Sequence, residues 1–133
     1  MSKRTIASDK VVKTKGPYVQ GVAVRDVELV FISGVVARNA AGEVQAQGDI
    51  RGQTRQCLHN IRHVIEAAGG KLADLVKVTV FIRPGTDYAA MNEVRREMLE
   101  GIPFASSTVQ VGLNEKLALV EIEAVAAVPV GRT

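Results

Sequence analysis

Residues 50–82, IRGQTRQCLHNIRHVIEAAGGKLADLVKVTVFI, change hydrophobic period in mid-course. Over 50–68 the apolar residues Cys57, Leu58, Ile61, Val64, Ile65 and Ala68 recur at helical spacing. Asp49 fits the N-cap, and Gly69-Gly70 offers a left-handed C-cap. Residues 75–82 are instead dense in β-branched side chains and too short for a comparable helix. They read as a strand covered on both faces, ending at the turn Arg83-Pro84-Gly85.

Upstream, Gly16-Pro17 breaks the chain. Residues 22–25 and 28–37 read as strands about the turn-like Arg25-Asp26, an antiparallel start, and Asn39-Ala40-Ala41-Gly42 turns into a short polar strand at 43–47. Downstream, Asp87 caps a second helix whose stripe is Tyr88, Met91, Val94 or Arg95, and Met98, and which ends at Gly101 with Pro103 beyond. Strands near 107–111 and 117–128 follow. The order strands, helix, strand, helix, strands predicts an α+β fold with both helices on one face of a sheet. With no repeat or long linker, the 133 residues are expected to form a single domain, 1–133, that includes a basic N-terminal segment 1–16.

Composition narrows the function. Hydrophobic residues make up 47% of the chain and aromatic residues only 4%, so the core must be aliphatic and base-stacking platforms are scarce. The net charge of +3 comes from the first sixteen residues, where Lys3, Arg4, Lys10, Lys13 and Lys15 face only Asp9. Beyond them twelve cations face thirteen acids, which disfavours nucleic acid as a partner. Cys57 is the only cysteine and lies on an apolar helical stripe, which fits a reduced core thiol and a cytoplasmic setting. The N-terminus lacks the apolar run of a signal peptide, and no stretch approaches a membrane-spanning length.

Two features suggest a small-molecule site. Ser106, Ser107 and Thr108 place a row of hydroxyls at a strand entry, and Glu121 and Glu123 point to one face of a later strand, roughly 7 Å apart. A desolvated Glu121 could relay a proton to or from water, while the alternative is that both acids are salt-bridge partners. The hydroxyls in turn either hold an anion or a carbonyl, or satisfy local backbone. No histidine follows them to activate a serine. His59, His63 and Glu66 share one helical face, but the neighbouring Asn60, Arg55 and Arg62 favour a solvated surface over a metal site.

Six patterns in register carry a wider resemblance: Gly16-Pro17-Tyr18-Val19-Gln20-Gly21, Phe31-Ile32-Ser33-Gly34, residues 49–56 (DIRGQTRQ), residues 76–81 (VKVTVF), Asn92-Glu93-Val94, and Val120-Glu121-Ile122-Glu123-Ala124. From about residue 3 to residue 127 the chain resembles the reactive intermediate deaminase (Rid, or YjgF) family. The resemblance implies a chorismate-mutase-like fold, a mixed sheet with two helices on one face. It also implies a homotrimer with clefts between subunits, and hydrolysis of small enamines or imines to carbonyl compounds and ammonia without metal or organic cofactor. It assigns Tyr18 to the cleft wall, the Gly34 N–H to the substrate, Asn92 to bracing the site, Glu121 to water, and Thr108 to a position held by Cys or Thr.

One position departs from the family pattern. Where the deaminase branch has arginine the chain has Ser106, and no cation lies between Glu100 and Lys116. A serine cannot supply the forked, charge-assisted grip of a guanidinium on a carboxylate. Three outcomes follow: the substrate lacks a carboxylate there, a cation arrives from elsewhere, or activity is lost. Arg38 is the first candidate cation, because related aminomuconate deaminases carry arginines in this loop, and Arg83 the second. The expected function is a deaminase with a substrate such as an aminomuconate-type enamine. A non-catalytic protein binding a metabolite or partner in the same clefts is the alternative. The expected cleft joins Glu121 to the hydroxyl row across a subunit seam and lacks a fixed guanidinium.

Overall fold

The computed structural model describes residues 2–131. In chain order the elements are β1 (Lys3–Ile6), β2 (Gly21–Val24), β3 (Val27–Val35), α1 (Ile50–Ala67), a 3-10 turn (Leu72–Asp74), β4 (Leu75–Ile82), α2 (Tyr88–Met98), β5 (Ala105–Gln110) and β6 (Val120–Pro129). Both helices begin as their sequence signals require. The Asp49 carboxylate accepts from the Gly52 N–H at 3.1 Å, and Asp87 does the same for Ala90. Past α1, Gly69 takes a φ of 84°, the left-handed conformation anticipated there.

Four strands form a mixed sheet in the order β3-β6-β4-β5. β6 runs antiparallel to both β3 and β4, so those two share a direction and α1 crosses between them. β4 and β5 are parallel, joined by α2. Alternation then separates two faces. Val78, Val80 and Ile82 of β4 and Val120, Ile122 and Ala124 of β6 are buried together with Cys57, Leu58, Ile61 and Ile65 of α1. Each such large aliphatic side chain contributes about 1.5–3 kcal/mol by leaving water.

Three local expectations are corrected. The Arg25-Asp26 turn forms, with Asp26 at a φ of 53°, but β2 pairs with β1 in a separate two-stranded sheet and β3 pairs with β6. Residues 43–47 make no strand: the Asn39 carboxamide oxygen accepts from the N–H groups of Ala41 and Glu43, winding the segment into a loop with one bridge, Arg38 to Val44. β4 is covered on one face only, since Lys77, Thr79 and Phe81 on the other are only half-buried. That open face also carries Leu29, Phe31 and Val109, with Phe31 75% exposed. Among the described residues no helix is long and apolar enough to cross a membrane.

Candidate active site

The β4–β5 register divides the hydroxyl row. Ser106 lies opposite Val78 and Thr108 opposite Val80, so both face the helices, whereas Ser107 lies opposite Thr79 on the open face. Over Ser106 and Thr108 sits a side chain from α2. Arg95 is 1% exposed, the largest of the fully buried side chains. Its Nη1 donates to Ser106 Oγ at 2.8 Å and Thr108 Oγ1 at 3.3 Å. Its Nη2 donates to Asn92 Oδ1 at 2.7 Å and to the Tyr88 hydroxyl at 3.4 Å, and its Nε reaches Asn92 Oδ1 at 3.2 Å. Tyr18 flanks the guanidinium with its ring centroid 5.5 Å away.

All these partners are neutral, and among the described residues no carboxylate pairs with Arg95. Burial accordingly pulls the guanidinium pKa below the ordinary arginine range, opposed by Tyr88 and Tyr18. A fixed guanidinium therefore stands directly behind the hydroxyl row, although Arg95 itself does not line the cavity there. The cation comes from α2 and ends at the hydroxyl of Ser106. Its signal in the sequence is a charged residue inside the apolar stripe of α2, three positions after Asn92.

Local packing holds Tyr18 in place. The Val19 N–H donates to the Phe104 carbonyl at 2.9 Å, and a Cβ on Gly16 would run into the Tyr18 ring. Tyr18, Ser106, Ser107 and Lys77 line an open cavity of about 670 Å³, together with residues 11–15.

Gly34 and Glu121 form a second locus. The β3–β6 register slips between Ile32 and Val35, so Ser33-Gly34 bulges at the exposed end of β3. On the adjacent strand the Glu121 side chain lies over Gly34, where a Cβ would stand 3.1 Å from its carboxyl carbon and still closer to an oxygen. Cys57 lies near by. Its thiol is pushed up to about 12, by burial first and by Glu121 second, and donates to the Val35 carbonyl at 3.5 Å. It is a protonated core group.

Gly34 also borders an open groove of about 740 Å³ with Arg38, Asn39, Gln56, Asn60 and His63. Arg38 there is ion-paired with Glu115, whose carboxyl is held below its usual range by the Leu117 N–H first and Arg38 second. Arg83 donates to the carbonyls of Ala118 and Glu115, both at 2.9 Å, and so ties down the loop before β6. His63 pairs with Glu66 at 3.6 Å, and among the described residues no group of three or more His, Cys, Asp or Glu is placed to hold a metal.

The two loci stay apart within one chain. β3, which carries Gly34, and β5 are opposite edges of the sheet, three strand spacings or about 14 Å apart, while β6, which carries Glu121, lies two spacings or about 10 Å from β5. Ser106 and Thr108 face the helices while Glu121 faces the other way. Ser107, by contrast, shares the face of Glu121, and the approach of Glu121 to the hydroxyl row is expected across a subunit seam rather than inside one protomer.

This arrangement of sheet and helices recurs in known proteins. The family model described as Endoribonuclease L-PSP matches residues 8–128. The chain belongs to the Rid/YjgF family. A Yersinia pestis protein of the conserved Rid family superposes with a TM-score of 0.82 at 27% identity, covering 96% of this chain and 100% of that one. A RutC family protein of Pyrococcus horikoshii is 40% identical over 93% of this chain and 97% of its own. The Escherichia coli protein named 2-iminobutanoate/2-iminopropanoate deaminase is 39% identical over 92% of this chain and 96% of its own. The α+β sheet with two helices on one face is thus the Rid fold.

Proposed function

We infer that this Rid-family protein is a cofactor-independent hydrolase of small enamines and imines. The observation that carries the reading is the 39% identity, along nearly the whole of both chains, to a relative named as an imine deaminase. Water adds to the iminium carbon and the tetrahedral adduct expels ammonia, leaving a carbonyl compound. Glu121 takes a proton from the attacking water and returns it to the departing nitrogen. Its place beside the Gly34 bulge puts that carboxylate next to a free strand edge.

Completing the site requires a second copy. With Gly34 and Glu121 near one sheet edge and Tyr18 and Ser106 near the other, a head-to-tail contact brings the loci together, and such contacts close into rings. A homotrimer with three inter-subunit clefts is the ring this reading adopts. The cytoplasm is the proposed setting.

The test offers enzymatically generated 2-aminoacrylate, 2-iminobutanoate and 2-aminomuconate and follows ammonia release. Wild type is expected to accelerate at least one, and Glu121→Ala to lose about 10²-fold, the scale of a missing general acid–base. No acceleration with any of them would sink the enzyme reading in favour of a metabolite-binding protein. An undiminished Glu121→Ala would remove that residue from its role.

A further inference from the structure

Resting on the deaminase reading for its substrate, we propose that Arg95 and Ser106 form an anion site that positions the substrate carboxylate in the cavity beside Tyr18, so that the preferred substrates are 2-imino acids. Three observations converge on it. The first is a buried charge with no counter-charge: Arg95 makes only neutral hydrogen bonds, and burying an unpaired cation is costly unless something compensates it. An arriving carboxylate supplies the missing charge.

The second is the direction of the hydroxyl. Ser106 Oγ already accepts from Arg95 Nη1 at 2.8 Å, so its own proton must turn away from the guanidinium. Ser106 lines the cavity, and the proton turned away from Arg95 is free to donate to an anion held there. Arg95 thus acts through Ser106 as a positioning residue, polarising a donor on the cavity wall. The third is the sign of the surroundings. Lys13, Lys15 and Lys77 line the same cavity, and none of its lining residues is acidic. Tyr18 supplies an apolar wall for the short alkyl group of such a substrate.

β5 carries no arginine, and the cation of this site stands instead on α2, with Ser106 as the intermediary. Of the three outcomes open from the sequence, this is the arrival of a cation from elsewhere, and it favours a short 2-imino acid over the aminomuconate-type enamine expected there.

A binding experiment tests the site separately from catalysis. The probes are 2-oxobutanoate, the carboxylate product of 2-iminobutanoate hydrolysis, and its uncharged amide, 2-oxobutanamide, titrated into the full-length protein and followed by NMR. Wild type is expected to prefer the carboxylate. Arg95→Gln should lose about 10- to 100-fold of that preference, the usual contribution of hydrogen bonds to a charged group, Ser106→Ala should lose part of it, and Arg95→Lys should recover part. General damage to the fold would weaken both probes alike and leave the ratio unchanged. Should Arg95→Gln not fold, the ratio in Ser106→Ala and Arg95→Lys decides. An unchanged preference in the variants, or none in wild type, overturns the proposal. A carboxylate preference that needs Arg95 in a protein without deaminase activity would uphold the anion site and refute only the catalytic reading.

Discussion

Gly34 shows how one missing methyl group sets the position of a reactive one. The Glu121 carboxylate occupies the space a Cβ at Gly34 would fill, and that carboxylate is the free end of a flexible side chain. Gly34→Ala should therefore displace the acid and leave the backbone intact. The expected result is a loss of about 10²-fold in ammonia release, as for a catalytic group misplaced by about 1 Å, with a melting temperature within a few degrees of wild type. Cys57 makes a different prediction. Its folded pKa of about 12 lies above the unfolded thiol value, so the unfolded chain ionises first as pH rises. The stabilising contribution is whole below about pH 9 and lost at about 1.4 kcal/mol per unit between about pH 9 and 12. Urea unfolding across that range should show a flatter decline for Cys57→Ala than for wild type, even though the variant starts less stable.

Between β5 and β6 the chain is held by side chains from elsewhere. Gln53 on α1 is fully buried and donates to the Leu117 carbonyl at 2.9 Å while accepting from the Leu119 N–H at 2.8 Å. Arg83 takes further carbonyls of the same loop. Gln53→Ala leaves a buried donor and acceptor without partners, so denaturant titration should show a loss of about 1–3 kcal/mol. Element boundaries with a local chemical cause were readable in advance: Asp49 and Gly69 frame α1, and Asp87 starts α2. Pairing was not. Nothing near Arg25-Asp26 tells β2 that β1 will reach it first, nor does the polarity of residues 43–47 reveal that Asn39 will curl them. Strand partners are chosen by distant surfaces, and a turn signal is satisfied whether or not its flanks pair.

For the molecule as a whole, the open sheet face is the unfinished part. Leu29, Phe31 and Val109 stand exposed on it, and the proposed cleft needs a neighbouring copy to bring opposite edges together. Sedimentation should find wild type as a trimer. Phe31→Glu exchanges a 75% exposed ring for a charge, removing about 1.5–3 kcal/mol of burial per subunit and adding a desolvation cost, so it should sediment as smaller species and lose deaminase activity with the assembly. A Phe31→Glu protein that stays trimeric would show that this face lies outside the contact.

Fold class, helix limits, the buried face of α1 and membership of the Rid family were all inherent in the order of residues, because periodicity, caps and six short patterns act locally or in register. The place of the guanidinium was not. Along the chain Arg95 is one cation in a helical stripe, eleven residues from Ser106. Only the packing of α2 against β5 brings them to 2.8 Å, and only the burial around them leaves the charge without a counterion. The same register that joins those two groups turns Glu121 to the opposite face, since alternate side chains of a pleated strand point to opposite sides.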